Sequence, residues 1–313
     1  MNKMSFFETI ASGPVLMEGA LGERLKREYG LAIDGPAAMA TLVDDPVGRA
    51  ALTALWQEYL AIAEKYRLPF MATTPTRRAN RLRMEKAGLD DALLERNAQL
   101  LCGIRNRAST AMFAGGLMGC VGDAYTGQGS LEADEAETVH RWQAKHLAES
   151  GLDFLYAGIM PTLPEALGMA RAMASTGLPY IISFTICRAG TLIDGTSIDA
   201  AIEHIDSHTD QPPALYMTNC VHPSIVYEAL SQPMNQTERV AARFKGVQAN
   251  TAALDYSAMD GAQELITADP ETLAEAMLRL CKDKGLSVFG GCCGTDGSHI
   301  EAIARRIAGK ISE

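Results

Sequence analysis

The stretch Leu286-Ser287-Val288-Phe289-Gly290-Gly291-Cys292-Cys293-Gly294-Thr295 sets two adjacent cysteines inside a glycine frame, directly after a short apolar run. Neighbouring side chains on a regular strand point to opposite faces, so a straight strand cannot aim both sulfurs at one point. Flanking glycines reach backbone conformations closed to other residues. The expected local structure is therefore a strand that ends and bends, so that two sulfurs converge just beyond it.

Outward from that stretch, short apolar runs alternate with helical periodicity along the whole chain. Residues 14–17, 68–73, 111–117, 154–159, 180–185, 214–219, 246–250 and 286–289 read as strands. Helical patterns cover 21–29, 46–66, 92–110, 132–150, 163–175, 197–207, 270–283 and 297–308. Strand–helix repeats without an obvious linker predict an α/β protein. The expected fold is a (β/α)8 TIM barrel forming a single domain over residues 1–313, rather than a two-domain doubly wound protein. Active sites of such barrels lie at the C-terminal ends of the strands. Glu18, Thr73-Thr74, Cys120, Cys220, Asn250 and Cys292-Cys293 all fall at those ends. After the third strand comes a long glycine-rich loop, 119–129, of a length and composition more often functional than accidental.

Composition narrows the partners. The chain of 313 residues is 47% hydrophobic and 21% charged, with net charge −10 and no clustered Lys/Arg patch, which argues against nucleic acid and anionic membrane surfaces. No uninterrupted apolar run approaches the roughly 18 residues of a membrane span. The opening Met1-Asn2-Lys3-Met4-Ser5-Phe6-Phe7-Glu8 lacks a signal-peptide core, so a cytoplasmic location is expected. The partners expected are small molecules, with a homo-oligomer compatible with the reading.

Seven cysteines, at 102, 120, 187, 220, 281, 292 and 293, suit thiols, metal ligands or catalysis better than a disulfide framework. Cys102, Cys187 and Cys281 lie in apolar sequence and are expected as buried small hydrophobes. Cys220, Cys292 and Cys293 are the candidates for one site. Three thiolates leave one position open on a tetrahedral ion, which fits zinc, and the absence of any C-x2-C pair argues against a closed structural knuckle. Three anionic sulfurs weaken a metal as an activator of water yet keep a fourth sulfur nucleophilic, so thiol alkylation is favoured over hydrolysis. Buried packing or a vicinal disulfide remain alternatives for Cys292-Cys293. His222 is a further candidate ligand, although a histidine just before Pro223 is more often a cap.

Gly290-Gly291-Cys292-Cys293-Gly294-Thr295, taken with Asn219-Cys220, resembles the zinc-dependent homocysteine S-methyltransferase family. That family includes the betaine- and S-methylmethionine-dependent enzymes and the homocysteine domain of cobalamin-dependent methionine synthase. The residues at 18–25, 74–81, 182–184 and 190–196 resemble further segments of it, so the resemblance covers nearly the whole chain. It implies a (β/α)8 barrel with Zn2+ on Cys220, Cys292 and Cys293. The acceptor thiol would take the fourth position and attack a methyl group on an onium or cobalamin donor. Glu18 stands where the family has Asp, as an acceptor-binding carboxylate; Thr73, Thr74 and Asn219 are expected to shape the acceptor pocket.

The sequence departs from the family where amino-acid recognition is expected. The family's Phe-Glu-Thr-hydrophobic-Pro segment corresponds to Ala157-Gly158-Ile159-Met160-Pro161, so Gly158 stands where a carboxylate would hold an ammonium. Pro75 and Arg77 replace an Asn and an aromatic residue, and Arg77 or Arg78 would suit a more anionic acceptor. The leading expectation is a thiol S-methyltransferase with homocysteine as default acceptor, giving methionine. Its alternatives are a zinc- and thiol-binding barrel with another acceptor or no turnover, and a metal-dependent hydrolase or lyase. No cobalamin-binding segment follows the barrel in this sequence, so the expected donor is a small molecule or a corrinoid on a separate protein.

Overall fold

In the computed structural model, which describes residues 4–253 and 268–309, the strands close into one parallel barrel in sequence order. They are β1 (Val15–Met17), β2 (Phe70–Thr73), β3 (Met112–Gly119), β4 (Phe154–Met160), β5 (Tyr180–Phe184), β6 (Leu215–Val221), β7 (Phe244–Ala249) and β8 (Val288–Gly291). Long helices at Pro46–Tyr66, Ala92–Arg105, Ala133–Glu149, Leu163–Ala174, Ile198–Ser207, Pro270–Lys284 and Gly297–Gly309 ring the outside. The fold is the TIM barrel expected from the repeat pattern.

Alternation along the strands sorts their side chains into two cores. Val15 and Met17 of β1, Met71, Phe113, Phe154, Tyr156, Ile181, Leu215, Met217 and Val288 point inward and fill the barrel. Residues between them, such as Leu16, Phe70, Ala114, Leu155, Ile182 and Phe289, face the helices in a second, larger core. The interior is full: a Cβ on Gly115 would lie 2.4 Å from the Phe154 ring, so a side chain there would displace it. At the N-terminal end a short helix, Phe6–Ser12, plugs the barrel. Its Phe6 stacks on Phe154 at 5.1 Å between ring centroids and meets Phe113 edge-on at 5.5 Å.

Boundaries differ from expectation in informative places. The helix expected to 110 ends at Arg105, and Ala111 only leads into β3. β6 runs on through Cys220 to Val221, and β8 runs on to Gly291, so each strand reaches further into the mouth than its apolar run suggests. Phe6–Ser12, Arg81–Ala87, Pro223–Leu230 and Glu238–Arg243 are short helices not expected from periodicity. Local caps define them instead: Ser5 and Glu8 form a capping box, and the Asn80 side chain accepts from Arg83 N. Of the opening stretch, Met1 to Lys3 lie outside the described residues. Among the described residues no helix is long and apolar enough to cross a membrane.

Candidate metal centre at the barrel mouth

From Met217 opposite Gly246, β6 pairs regularly with β7 until Asn219 faces Gln248; the next pair is Val221 with Ala249, which leaves Cys220 as an extra residue. This one-residue bulge puts Cys220 at φ 62°, in the left-handed region that costs a non-glycine residue about 1–2 kcal/mol. The outcome is that Cys220 turns its sulfur into the mouth instead of following the strand's alternation. The residue is 3% exposed.

The cysteine doublet reaches the same place by another route. β8 stops at Gly291, where a Cβ would lie 2.2 Å from Thr295 Oγ1; only a glycine lets the chain fold back on Thr295. Cys292 N donates to Ala249 O at 2.8 Å, and Cys292 O accepts from Thr295 N at 3.1 Å and from Thr295 Oγ1 at 2.7 Å. Thr251 N donates to Cys293 O at 3.1 Å. Gly294 sits at φ 84°, its N donating to Glu23 Oε2 at 2.7 Å. The bend expected from the glycine frame is thus a turn clamped to β7 and to the segment after β1.

Cys220 Sγ lies 3.0 Å from Cys292 Sγ and 3.6 Å from Cys293 Sγ, and the three sulfurs all fall within 4.8 Å of one another. None of the seven cysteines is in a disulfide. Thiol contacts from Cys292 and Cys293 hold Cys220 well below the usual thiol range, with Tyr125 and Arg77 adding to the effect. Sharing that negative charge pushes Cys292 and Cys293 well above it. The trio therefore gives up one proton readily and resists losing the others until a cation compensates the charge. Three convergent sulfurs in a largely buried site form a donor set that fits a soft or borderline divalent metal. Among the described residues this is the one group of His, Cys, Asp or Glu side chains placed to hold an ion.

Around the sulfurs the inward layer turns polar. Glu18, at the end of β1, is 3% exposed and accepts three donors: Trp56 Nε1 at 2.8 Å, Thr73 N at 2.9 Å and Thr73 Oγ1 at 2.6 Å. Burial pushes its carboxyl up to about 7 against the pull of those donors. Tyr156 on β4 donates across the barrel to Gln248 Oε1 on β7 at 2.8 Å, closing the floor. Asn219 Oδ1 accepts from Ile159 N at 3.0 Å and from Ser183 Oγ at 2.5 Å. The Thr74 hydroxyl accepts from Leu117 N at 3.1 Å and meets Thr76 Oγ1 at 2.7 Å, fastening β2 to β3.

From the loop after β3, Tyr125 reaches over the site, its hydroxyl donating to Cys220 Sγ at 3.3 Å. The loop is held in shape from within and from below. Asp123 Oδ1 accepts from Tyr125 N and Thr126 N, both at 2.8 Å. The buried Glu165 carboxylate accepts from Val121 N at 2.7 Å and Leu131 N at 3.4 Å, at the loop's two ends.

A sequence profile described as homocysteine S-methyltransferase matches residues 15–307. The chain belongs to that family. Among curated relatives it is 28% identical over 197 residues to methionine synthase of Mycobacterium leprae (strain TN), covering 58% of this chain and 15% of that protein. It is 28% identical over 195 residues to homocysteine S-methyltransferase YbgG of Bacillus subtilis (strain 168), covering 58% of this chain and 56% of that one. The chain thus spans little of the first and about half of the second. The fold is matched by the metallated form of the homocysteine methyltransferase MmuM from Escherichia coli. That crystal structure aligns with a TM-score of 0.73 at 19% identity, over 95% of this chain and 98% of that one.

Within this member of the homocysteine S-methyltransferase family, the structure brings together Cys220, Cys292 and Cys293. Asn219 precedes Cys220 on β6, and Glu18 O accepts from Gly291 N at 2.9 Å beside the doublet. Thr73 is bonded to Glu18, and Thr74 is turned to Leu117 and Thr76. Gly158 sits on β4 facing Gly119 of β3, with Leu117, Tyr156 and Asn219 around the point where a Cβ would project. His222 stands apart as the N-cap of Pro223–Leu230, its side chain accepting from Ser224 N at 3.2 Å. Cys120 is buried with its thiol toward Gly122 O at 3.6 Å, outside the trio. Cys102 and Cys281 are buried as expected, whereas Cys187 is only partly covered, in the turn region after β5. Tyr125 and Trp56 escaped the sequence reading. The glycine-rich loop was a signal for the first, but nothing local marks which of its residues reaches a sulfur.

Proposed function

We propose that the chain is a zinc-dependent thiol S-methyltransferase acting as one barrel domain, with homocysteine as its default acceptor and methionine as product. The observation that carries this reading is the convergence of three sulfurs from the ends of β6 and β8, one of them delivered by a strained bulge. Zinc on Cys220, Cys292 and Cys293 would hold an acceptor thiol as its thiolate at neutral pH. The acceptor's proton would pass to solvent, a sulfur lone pair would form the bond to the methyl carbon, and the donor–methyl bond would break with its electrons returning to the donor. The donor is read as a small onium compound or a methyl-corrinoid.

The chain's own residues supply placement. Thr73 and Trp56 fix Glu18 beside the acceptor pocket. Asn219 ties the end of β6 to the end of β4 across β5. Tyr125 covers the sulfurs and donates to Cys220, steadying the charge there. Purified full-length protein is expected to carry one zinc and to methylate homocysteine from S-methylmethionine or another onium donor, and Cys292→Ser to lose both. A variant that keeps its zinc and its methyl transfer would overturn the reading.

A further inference from the structure

The charged groups at the mouth are unevenly distributed. Of the carboxylates beside the cysteine doublet, Glu23 is taken up by Gly294 N at 2.7 Å, and Glu18 is already occupied by three protein donors. With its carboxyl near 7, it is only partly ionised at neutral pH and offers a weak partner for an ammonium. Gly158 contributes no side chain to the mouth.

Arg77 contrasts with this. Its backbone is fixed by its neighbour Thr76, whose hydroxyl donates to Leu117 O at 2.7 Å and whose carbonyl accepts from Gln143 Nε2 at 2.9 Å. Its stem lies across Gly119, with Cγ 2.6 Å from where a Cβ on that glycine would project, so a side chain at 119 would push the arginine away. Gly119 and Gly158 are register partners, which puts the arginine stem beside the unfilled end of β4. The positive charge acts on Cys220 and on Cys120. Arg77 is partly buried and makes no ion pair with any described carboxylate, whereas Arg78 is exposed. A partly desolvated guanidinium calls for a counter-anion, and its planar fork matches a carboxylate.

We infer that Arg77 recognises a carboxylate of the acceptor, and that the acceptor class is a thiol acid for which an ammonium group is dispensable. This rests on the proposed thiol-binding metal site and narrows what binds there. Homocysteine satisfies it through its carboxylate, and thiol acids without an amine satisfy it equally.

The test uses the whole protein with Co2+ in place of zinc, so that thiol binding is read, without any methyl donor, from the change it makes in the sulfur-to-cobalt absorption that the three cysteines already give. Homocysteine, 3-mercaptopropionate and 2-mercaptoethylamine are titrated against wild type, Arg77→Ala and Arg77→Lys. The expected result is that 3-mercaptopropionate binds at least tenfold more tightly than 2-mercaptoethylamine. Arg77→Ala then weakens the thiol acid tenfold or more, leaving the amino thiol and the cobalt content unchanged, and Arg77→Lys recovers part of the loss. Equal or tighter binding of the amino thiol to wild type, or an equal loss of both thiols in Arg77→Ala, overturns the assignment of Arg77 while leaving the metal site standing. Wild-type protein in which no thiol changes the sulfur-to-cobalt band overturns the metal-site reading, and this inference with it.

Discussion

β4 and β6 break their pairing in the same way and to different ends. Each carries a one-residue register shift near its C-terminus, and each places a non-glycine residue at positive φ, Ile159 at 54° and Cys220 at 62°. In β6 the strain delivers a sulfur to the mouth. In β4 it delivers no functional side chain: Gly158 has none and Ile159 is buried among apolar neighbours. Asn219 links the two bulges, since its Oδ1 accepts from Ile159 N. On a common backbone frame, one bulge turns a thiol into the mouth and the other presents no polar side chain.

If Asn219 couples the bulges, removing its side chain should disturb both. Asn219→Ala leaves the Ile159 N–H and the Ser183 hydroxyl without their acceptor, at about 2–4 kcal/mol for two buried groups. Urea unfolding should show that loss, and metal content should fall because Cys220 sits in the loosened bulge. Unchanged stability would mean the two bulges are independent.

Glu18, at the end of β1, is a buried carboxylate. Its folded pKa is raised, so its protonated form is favoured by folding. The associated stability is fully present below the ordinary carboxyl value and is lost as pH rises through about 7. Between pH 4.5 and 8 the loss should reach about 3 kcal/mol. Glu18→Gln should flatten that part of the pH–stability curve, measured by denaturant titration at several pH values. A wild-type stability that climbs over this range relative to the variant would contradict the burial argument.

Refilling β4 is the next smaller change. A Cβ at 158 meets Leu117 Cδ1 at 3.0 Å, so Gly158→Glu should cost about 1 kcal/mol in stability. It should also raise the affinity for amino thiols about tenfold, as a new charge-assisted pair would. Affinity left unchanged would show that the missing carboxylate is not what separates the two strands. The smallest effect belongs to the sulfur side: Tyr125→Phe removes one donor to Cys220. Binding of the acceptor and kcat/KM should change by up to about tenfold with metal content intact.

Much of this was legible in the chain. Runs such as Phe154–Met160 and Tyr180–Phe184 are apolar on both faces because one side fills the barrel and the other meets helices, which is why the parallel fold could be read directly. The glycine frame of Cys292-Cys293 was legible because each glycine answers a steric demand, Gly291 against Thr295 and Gly294 at positive φ. The bulge at Cys220 was not, since it depends on register against β7, a property of two distant segments. Tyr125 was hidden for the same reason: its loop is shaped by Glu165, which follows it by forty positions and gives no local sign of its role.

The central claim is that three sulfurs of the chain and one of the acceptor share a zinc ion. Zinc-edge X-ray absorption on the purified full-length protein tests it most directly. Three sulfur neighbours without acceptor, rising to four when a thiol acceptor is added, is the predicted result; zinc with fewer than three sulfurs, or a sulfur count that does not change on adding any thiol, would contradict it.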